Sequence, residues 1–339
     1  MQPRNEAERK HNSSRHFHRW LLAILVSGGV IAWYIGSFDF RSRSGNSSDT
    51  KQSSSDSSWE APDTAAIPDN ERGALIWYGR ELVAETSKYL GPDGEVSALS
   101  NGMNCQNCHL DAGTKPFGNN FSAVASTYPK FRARSGTMET IDRRINDCLQ
   151  RSLNGKPLDT ASREMKALAA YILWVGEGVP RGTTPAGSGL SGLRYLDRAA
   201  DPRKGEIVYL QQCAVCHGKE GQGMENPGTD RWLYPPLWGT RSYNTAAGLY
   251  RLSRLANYVK YNMPFGIDHR KPRLSDAQAW DVAAFINAQP RPEKSFREDW
   301  PDVTKKPVDH PFGPFADSFP AHQHKYGPFA PIEAAQAKH

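Results

Sequence analysis

Cysteine is scarce in this chain of 339 residues: there are five, and four stand in two Cys-x-x-Cys-His runs, Cys105-Gln-Asn-Cys108-His109 and Cys213-Ala-Val-Cys216-His217. Cys148 alone is left over. Apolar residues are sparse too, at 38% with a mean hydropathy of -0.65, against 24 prolines and 29 glycines. That balance implies a multi-domain protein of modest core and leaves part of the chain outside any globular unit. No recognisable nucleic-acid module accompanies the formal net charge of +6, part of which lies in the N-terminal leader. The charge reads as a basic surface suited to a small anion or an acidic partner, with no nucleic acid.

Each Cys-x-x-Cys-His run supplies two thiols for the vinyl groups of one haem and a histidine to serve as its proximal iron ligand. Two covalently bound c-type haems are expected, held by Cys105, Cys108 and His109 and by Cys213, Cys216 and His217. A structural zinc site would need four ligands gathered across a spacer of about a hundred residues, and the histidine after each second cysteine argues against it. A thioredoxin-like motif would account for one run, but not for the repetition or the histidines.

The amino terminus divides into a basic leader (1–19), an uncharged stretch of 19 residues (20–38) and a serine-rich linker (39–70). The uncharged stretch is just long enough to cross a bilayer. Arg4, Arg9, Lys10, Arg15 and Arg19 before it orient the leader toward the cytoplasm. An uncleaved anchor to the inner membrane is favoured over a cleaved signal, because Trp33, Tyr34 and Phe38 leave no small-x-small site. Nine serines in the eighteen positions 41–58 read as a flexible tether. Covalent haem attachment, which bacteria carry out outside the cytoplasmic membrane, agrees with a periplasmic location.

The remainder is organised as an internal repeat. Apolar spacing predicts a helix around Gly73–Ala84 and another around Gly205–Leu210, one before each haem motif, and amphipathic helices at Ser162–Val175 and Ser275–Ala288 after them. The fold class expected is all-α. The order helix, Cys-x-x-Cys-His, loop, distal ligand, helix resembles the class I cytochrome c domain, present in tandem over 71–190 and 191–290. The resemblance implies that a proline-region carbonyl, at Tyr128-Pro129 and at Pro235-Pro236, orients each proximal imidazole. The segment 291–339, with nine prolines from Pro290 onward and scattered aromatics, reads as an extended arm packed over the haem domains.

Distal ligands separate the two halves. Met263, followed by proline and 46 residues after His217, is the natural sixth ligand of the second haem. The first half has no Met-Pro: Met138 falls in a loop and Met165 in the closing helix. Cys148, 39 residues after His109, occupies the corresponding place. A lone cysteine is ordinarily a small buried hydrophobe, but an unpaired thiol in an oxidising compartment is a liability unless it is used. Thiolate stabilises ferric iron and methionine ferrous iron, so electrons would run from the first haem to the second. Lys130, Arg132, Arg134, Arg143, Arg144 and Arg151 surround Cys148 in sequence, against Glu139, Asp142 and Asp147. A solvated basic face is the ordinary reading of such a run; beside a ligating cysteine, arginines also offer forked donors to an oxyanion.

Tyr128-Pro-Lys-Phe-Arg-Ala-Arg-Ser-Gly, Arg143-Arg-Ile-Asn-Asp-Cys-Leu-Gln-Arg-Ser-Leu-Asn-Gly and Asn262-Met-Pro-Phe-Gly resemble segments of the dihaem thiosulfate dehydrogenases, which join two thiosulfates into tetrathionate. The resemblance covers most of the chain after the linker. It implies that His109 and Cys148 ligate a catalytic first haem, that His217 and Met263 ligate an electron-transferring second one, that Arg134 and Arg144 bind substrate, and that Ser152 lines the site. Some members carry a ligating lysine next to the methionine; Asn262 stands there in this chain, so methionine is expected in both oxidation states. Cys148 would leave the iron, form a sulfur adduct with one thiosulfate and yield to attack by a second, with electrons passing to an external cytochrome c or another redox carrier. The same groups serve tetrathionate reduction, so direction stays open. Three rival readings compete with this one. A dihaem electron carrier would want methionine at both distal positions. The cytochrome subunit of the sulfur-oxidising multienzyme system would act with a partner carrying bound sulfur. A dihaem peroxidase finds only His269 as a spare histidine in the two domains.

Overall fold

The computed structural model describes residues 58–229 and 231–337. The basic leader, the 20–38 stretch and most of the serine-rich linker lie outside the described residues. Among the described residues no helix is long and apolar enough to cross a membrane. The end of the expected linker is structured: the Trp59 amide donates to the Ala186 carbonyl at 2.7 Å, and Ile67 is buried in the first core. Serines give way there to Trp59, Pro62 and Ile67, which have apolar surface to bury.

The principal helices are α1 (Glu71–Ala84), α2 (Ile141–Arg151), α3 (Arg163–Val175), α4 (Pro202–Gln212), α5 (Leu252–Asn262), α6 (Asp276–Ala288), α7 (Ala321–Tyr326) and α8 (Ala330–Gln336). Several begin at side-chain caps. Asn70 accepts the Gly73 amide, Thr140 that of Arg143, Ser162 that of Met165 and Ser275 that of Gln278, each satisfying a first-turn donor that the helix itself leaves free.

The repeat is visible in how the first and last helix of each half cross. A Cβ on Gly79 of α1 would lie 2.0 Å from the Ala167 carbonyl oxygen of α3, and a Cβ on Gly205 of α4 would lie 1.9 Å from the Asp281 carbonyl oxygen of α6. Only glycine admits backbones at that approach. The crossings organise two cores, one around Ile76, Leu82, Met165 and Tyr171, the other around Tyr209, Trp280, Val282 and Ile286.

Two small departures from an all-helical fold occur. Strand β1 (Lys130–Arg132) pairs antiparallel with β2 (Thr137–Glu139), and β3 (Met224–Glu225) pairs with β4 (Trp232–Tyr234). In the first hairpin Gly136 takes φ 65°, a left-handed turn position that glycine adopts without strain. Met138 therefore sits on an exposed strand, and Met165 is fully buried in α3.

The C-terminal arm is not extended throughout, since it folds into α7 and α8. Phe329 and Ile332 enter the second core. His324 is buried, with Nδ1 against the Val308 carbonyl at 2.8 Å and Nε2 against Asp317 at 3.0 Å. The arm also reaches the first half, where the Trp300 amide donates to the Arg134 carbonyl at 2.6 Å.

Candidate active site

Helix α2 carries the central residues. Ile145 and Leu149 bury one of its faces in the first core. On the adjoining face Arg144, Cys148 and Arg151 follow at intervals of four and three residues, and Ser152 continues the row just past the last turn. Helical spacing thus stacks them along one side.

That side lines a cavity together with Cys108, His109, Asn119, Arg132, Arg134 and Asp147 of the first half and Gly248, Arg251 and Arg254 of the second. The sequence-predicted Arg134, Arg144, Cys148 and Ser152 are all brought together there. Arg143 is not: it turns to the opposite side of α2, where its Nη1 donates to Thr137 Oγ1 at 3.1 Å. Arg251, just before α5, and Arg254, in its first turn, lie a hundred residues further along the chain, with no local signal tying them to Cys148.

Six arginines and a single carboxylate, Asp147, line the cavity, so it is strongly positive. The Arg144 guanidinium is held above its ordinary pKa, chiefly by Cys148 and despite burial. Burial, then repulsion from Arg151, brings Arg134 down to about 10, which leaves it cationic at neutral pH. Trp300 lies against the Arg134 guanidinium, 5.5 Å from ring centroid to Cζ.

An apolar cavity adjoins the positive one. Val83, Phe121, Leu149, Leu168 and Ile172 form its walls, and Cys105, His109 and Cys148 line it as well. His109 Nδ1 meets the Asn119 carbonyl at 2.5 Å; a carbonyl only accepts, so Nδ1 carries the proton and Nε2 keeps its lone pair. Burial lowers the imidazole pKa to about 4, which keeps the ring neutral, as iron ligation requires. The acceptor is not the expected Tyr128-Pro129 carbonyl, because the loop after His109 turns back within ten residues. In the second half the expectation holds: His217 Nδ1 meets the Pro235 carbonyl at 2.8 Å, and burial again lowers the ring's pKa. These thiols, neutral imidazoles and apolar walls fit a haem in each half.

Met263 follows α5 directly and packs at the edge of the second core with Cys213 and Leu237. Asn262 beside it is buried and donates to the Phe117 carbonyl of the first half at 3.0 Å. The nearest lysine in sequence, Lys260, is held by the Leu274 carbonyl at 2.6 Å and Asp276 at 2.7 Å. His269 lies against Phe117, with ring centroids 4.7 Å apart, at the junction of the halves.

Two haem-binding domains in tandem, the first opening onto an arginine-lined cavity with a cysteine, define a dihaem c-type cytochrome. The comparisons narrow the class. The SoxA/TsdA cytochrome c domain matches residues 95–180, and the cbb3-type cytochrome c oxidase subunit III matches residues 200–286. The chain is 39% identical over 235 residues to a thiosulfate dehydrogenase of Allochromatium vinosum, covering 68% of this chain and 83% of that one. It is 34% identical over 273 residues to a thiosulfate dehydrogenase of Stutzerimonas stutzeri, covering 80% and 85%. Among solved structures, the "as isolated" thiosulfate dehydrogenase (TsdBA) from Marichromatium purpuratum matches with a TM-score of 0.64 and 33% identity, over 70% of this chain and 50% of that longer one. The chain belongs to the thiosulfate dehydrogenase family, and it carries two covalent c-type haems.

Proposed function

We propose that this chain joins two thiosulfates into tetrathionate in the arginine-lined cavity of the first domain, with His109 and Cys148 as ligands of the first haem and His217 and Met263 as ligands of the second. The observation that carries the reading is the row of Arg144, Cys148, Arg151 and Ser152 on one side of α2, facing a cavity with six arginines and one carboxylate. Two dianions repel each other, and coupling them needs that repulsion neutralised where the sulfurs meet. Arg134 and Arg144 hold the sulfonate end of the first thiosulfate by charge-assisted hydrogen bonds, and Ser152 adds a hydroxyl. Cys148 Sγ bonds to its sulfane sulfur with loss of two electrons, leaving a Cys–S–S–sulfonate adduct. The sulfane sulfur of a second thiosulfate then attacks the sulfane sulfur of the adduct, Cys148 leaves as thiolate, and tetrathionate departs. The two haems supply the pair of one-electron acceptors that this oxidation requires.

An external cytochrome c or similar carrier takes the electrons from the second domain. The c-type attachment motifs support a periplasmic location, and the 20–38 stretch would tether the enzyme to the inner membrane. The test is turnover of fully haem-loaded protein with thiosulfate and ferricyanide, measuring tetrathionate in wild type and Cys148→Ala. Loss of at least about 10³-fold in kcat is expected for removal of a covalent nucleophile. Full turnover by the variant would rule out the adduct.

A further inference from the structure

Trp300 of the C-terminal arm holds a backbone conformation that its side chain disfavours. Its φ is 62°, in the left-handed region where a bulky residue other than glycine is an outlier. Such a residue persists only where its surroundings over-determine it. Three contacts do so here, and all three fall on the hairpin that carries Arg134. The Trp300 amide donates to the Arg134 carbonyl at 2.6 Å, and the Trp300 ring centroid lies 5.5 Å from Arg134 Cζ. Pro301 then packs on the hairpin turn, where a Cβ on Gly136 would lie 2.6 Å from Pro301 Cγ.

Ring contacts continue from Trp300 to the other wall of the cavity. Its centroid is 5.5 Å from that of His310, His310 is 5.9 Å from Phe312, and Phe312 stacks on Tyr250 at 5.7 Å and 11°. Tyr250 directly follows Gly248 and Leu249, which line the cavity from the second domain. A ring against a guanidinium holds it by cation–π attraction and engages none of its five N–H donors, which leaves the fork to an oxyanion. Arg151, by contrast, commits both Nη groups to Asp299, at 2.6 and 2.8 Å.

We infer that Trp300 is a positioning residue of the anion site: its ring sets the Arg134 guanidinium toward the cavity, so the C-terminal arm governs how tightly thiosulfate is held. The inference rests on the proposed role of Arg134 as a ligand of the sulfonate. Trp300 acts through Arg134 and not on the reacting sulfurs. Without the ring the arginine samples more rotamers, and the anion must order it on binding, at a cost in affinity. The bound geometry, once reached, is the same, so the coupling step is spared.

The experiment uses haem-loaded wild type, Trp300→Gly, Trp300→Phe, Arg134→Gln and a chain carrying both Trp300→Gly and Arg134→Gln, with thiosulfate as the probe and ferricyanide as the oxidant. Glycine takes a φ of 62° without strain and keeps the amide that donates to Arg134, so the arm stays docked while the ring is lost. In Trp300→Gly the KM for thiosulfate should rise about fivefold or more with kcat nearly unchanged, the size of effect that a partly desolvated cation–π contact has on binding. Trp300→Phe, which keeps a ring, should recover most of that loss. In the Arg134→Gln background Trp300→Gly should add nothing, because the ring then has no guanidinium to hold; a packing defect alone would add in full. A KM within about twofold of wild type in Trp300→Gly, or an equal rise in both backgrounds, overturns the positioning role and leaves Arg134 as an anion ligand. An unaltered KM in Arg134→Gln overturns that ligand role and the inference with it, and absence of tetrathionate from wild type overturns the proposed activity as well.

Discussion

Arg134 and Arg151 line the same cavity but face different neighbours, and the difference sets what each can do. Arg151 is 4% exposed, held by Asp299 and Asp147 and lying 3.8 Å from the centroid of Phe296. It shapes the wall, whereas the Arg134 guanidinium donates to the Ala246 carbonyl at 3.3 Å and has no carboxylate among the described residues within ion-pair distance. Asp299→Ala would leave the Arg151 guanidinium buried with only Asp147 at 3.3 Å, and removing one partner of a buried pair costs about 3–5 kcal/mol. Thermal denaturation of the haem-loaded variant should therefore show a clear drop in Tm; an unchanged Tm would mean that Asp299 does not bear on Arg151. Asp299 was not legible in the sequence as part of the site, because nothing local links it to a helix 148 residues earlier. Cys148 was legible from its place between His109 and the closing helix, and Arg144 and Ser152 only through the family resemblance; the helix that brings them to one side was not expected. Asn119 escaped notice for the opposite reason: its backbone oxygen, not its side chain, orients His109, and a carbonyl leaves no mark on residue identity.

The arm is the element that sequence reading described least well. Prolines and aromatics pointed to a packed segment, but α7 and α8 are too short for their periodicity to stand out. The arm holds α5 through Asp309, which is 1% exposed and accepts hydrogen bonds from Arg251 and from the Ser253 amide and hydroxyl. Burial alone would raise the Asp309 pKa; the Arg251 charge and these bonds outweigh it and hold the carboxyl below its ordinary value. A carboxyl whose pKa is lower folded than unfolded adds stability above its unfolded value, about 3.9, and that stability is lost as pH falls through the folded value. Protection from hydrogen exchange over residues 303–337, taken relative to the intrinsic rate at each pH, should accordingly fall below about pH 4 in wild type. In Asp309→Asn the arm should be looser at neutral pH and show a flatter response to acid. An arm equally protected at both pH values in wild type would remove Asp309 as its fastening.

At the scale of the whole molecule, the tandem organisation was legible because each half repeats an attachment motif and a closing amphipathic helix. The way the halves meet was not, since it runs through isolated polar contacts such as Tyr258 to the Asn107 carbonyl at 2.7 Å and Asn244 to the Gln150 carbonyl at 2.9 Å. Together the halves concentrate cations around one opening, and this has a kinetic consequence. Raising ionic strength from 0.01 to 0.15 M shortens the Debye length from about 30 to about 8 Å, so capture of a dianion should weaken several-fold. Stopped-flow or steady-state kcat/KM for thiosulfate should fall accordingly, while kcat at saturation stays nearly constant. A kcat/KM insensitive to salt would mean that the arginines act only after the anion is already seated.

The arm's grip on Arg134, Arg151 and Arg251 also orders events during biosynthesis. Both haem-attachment motifs precede residue 291 in the chain, so an exported chain whose arm has not yet docked can acquire its full colour and redox centres while the walls of its arginine-lined cavity still lack their fastenings. Pigmentation and competence are then separate milestones. A preparation judged by its spectrum alone could contain molecules, clipped within the last fifty or so residues, that take up electrons normally and couple nothing.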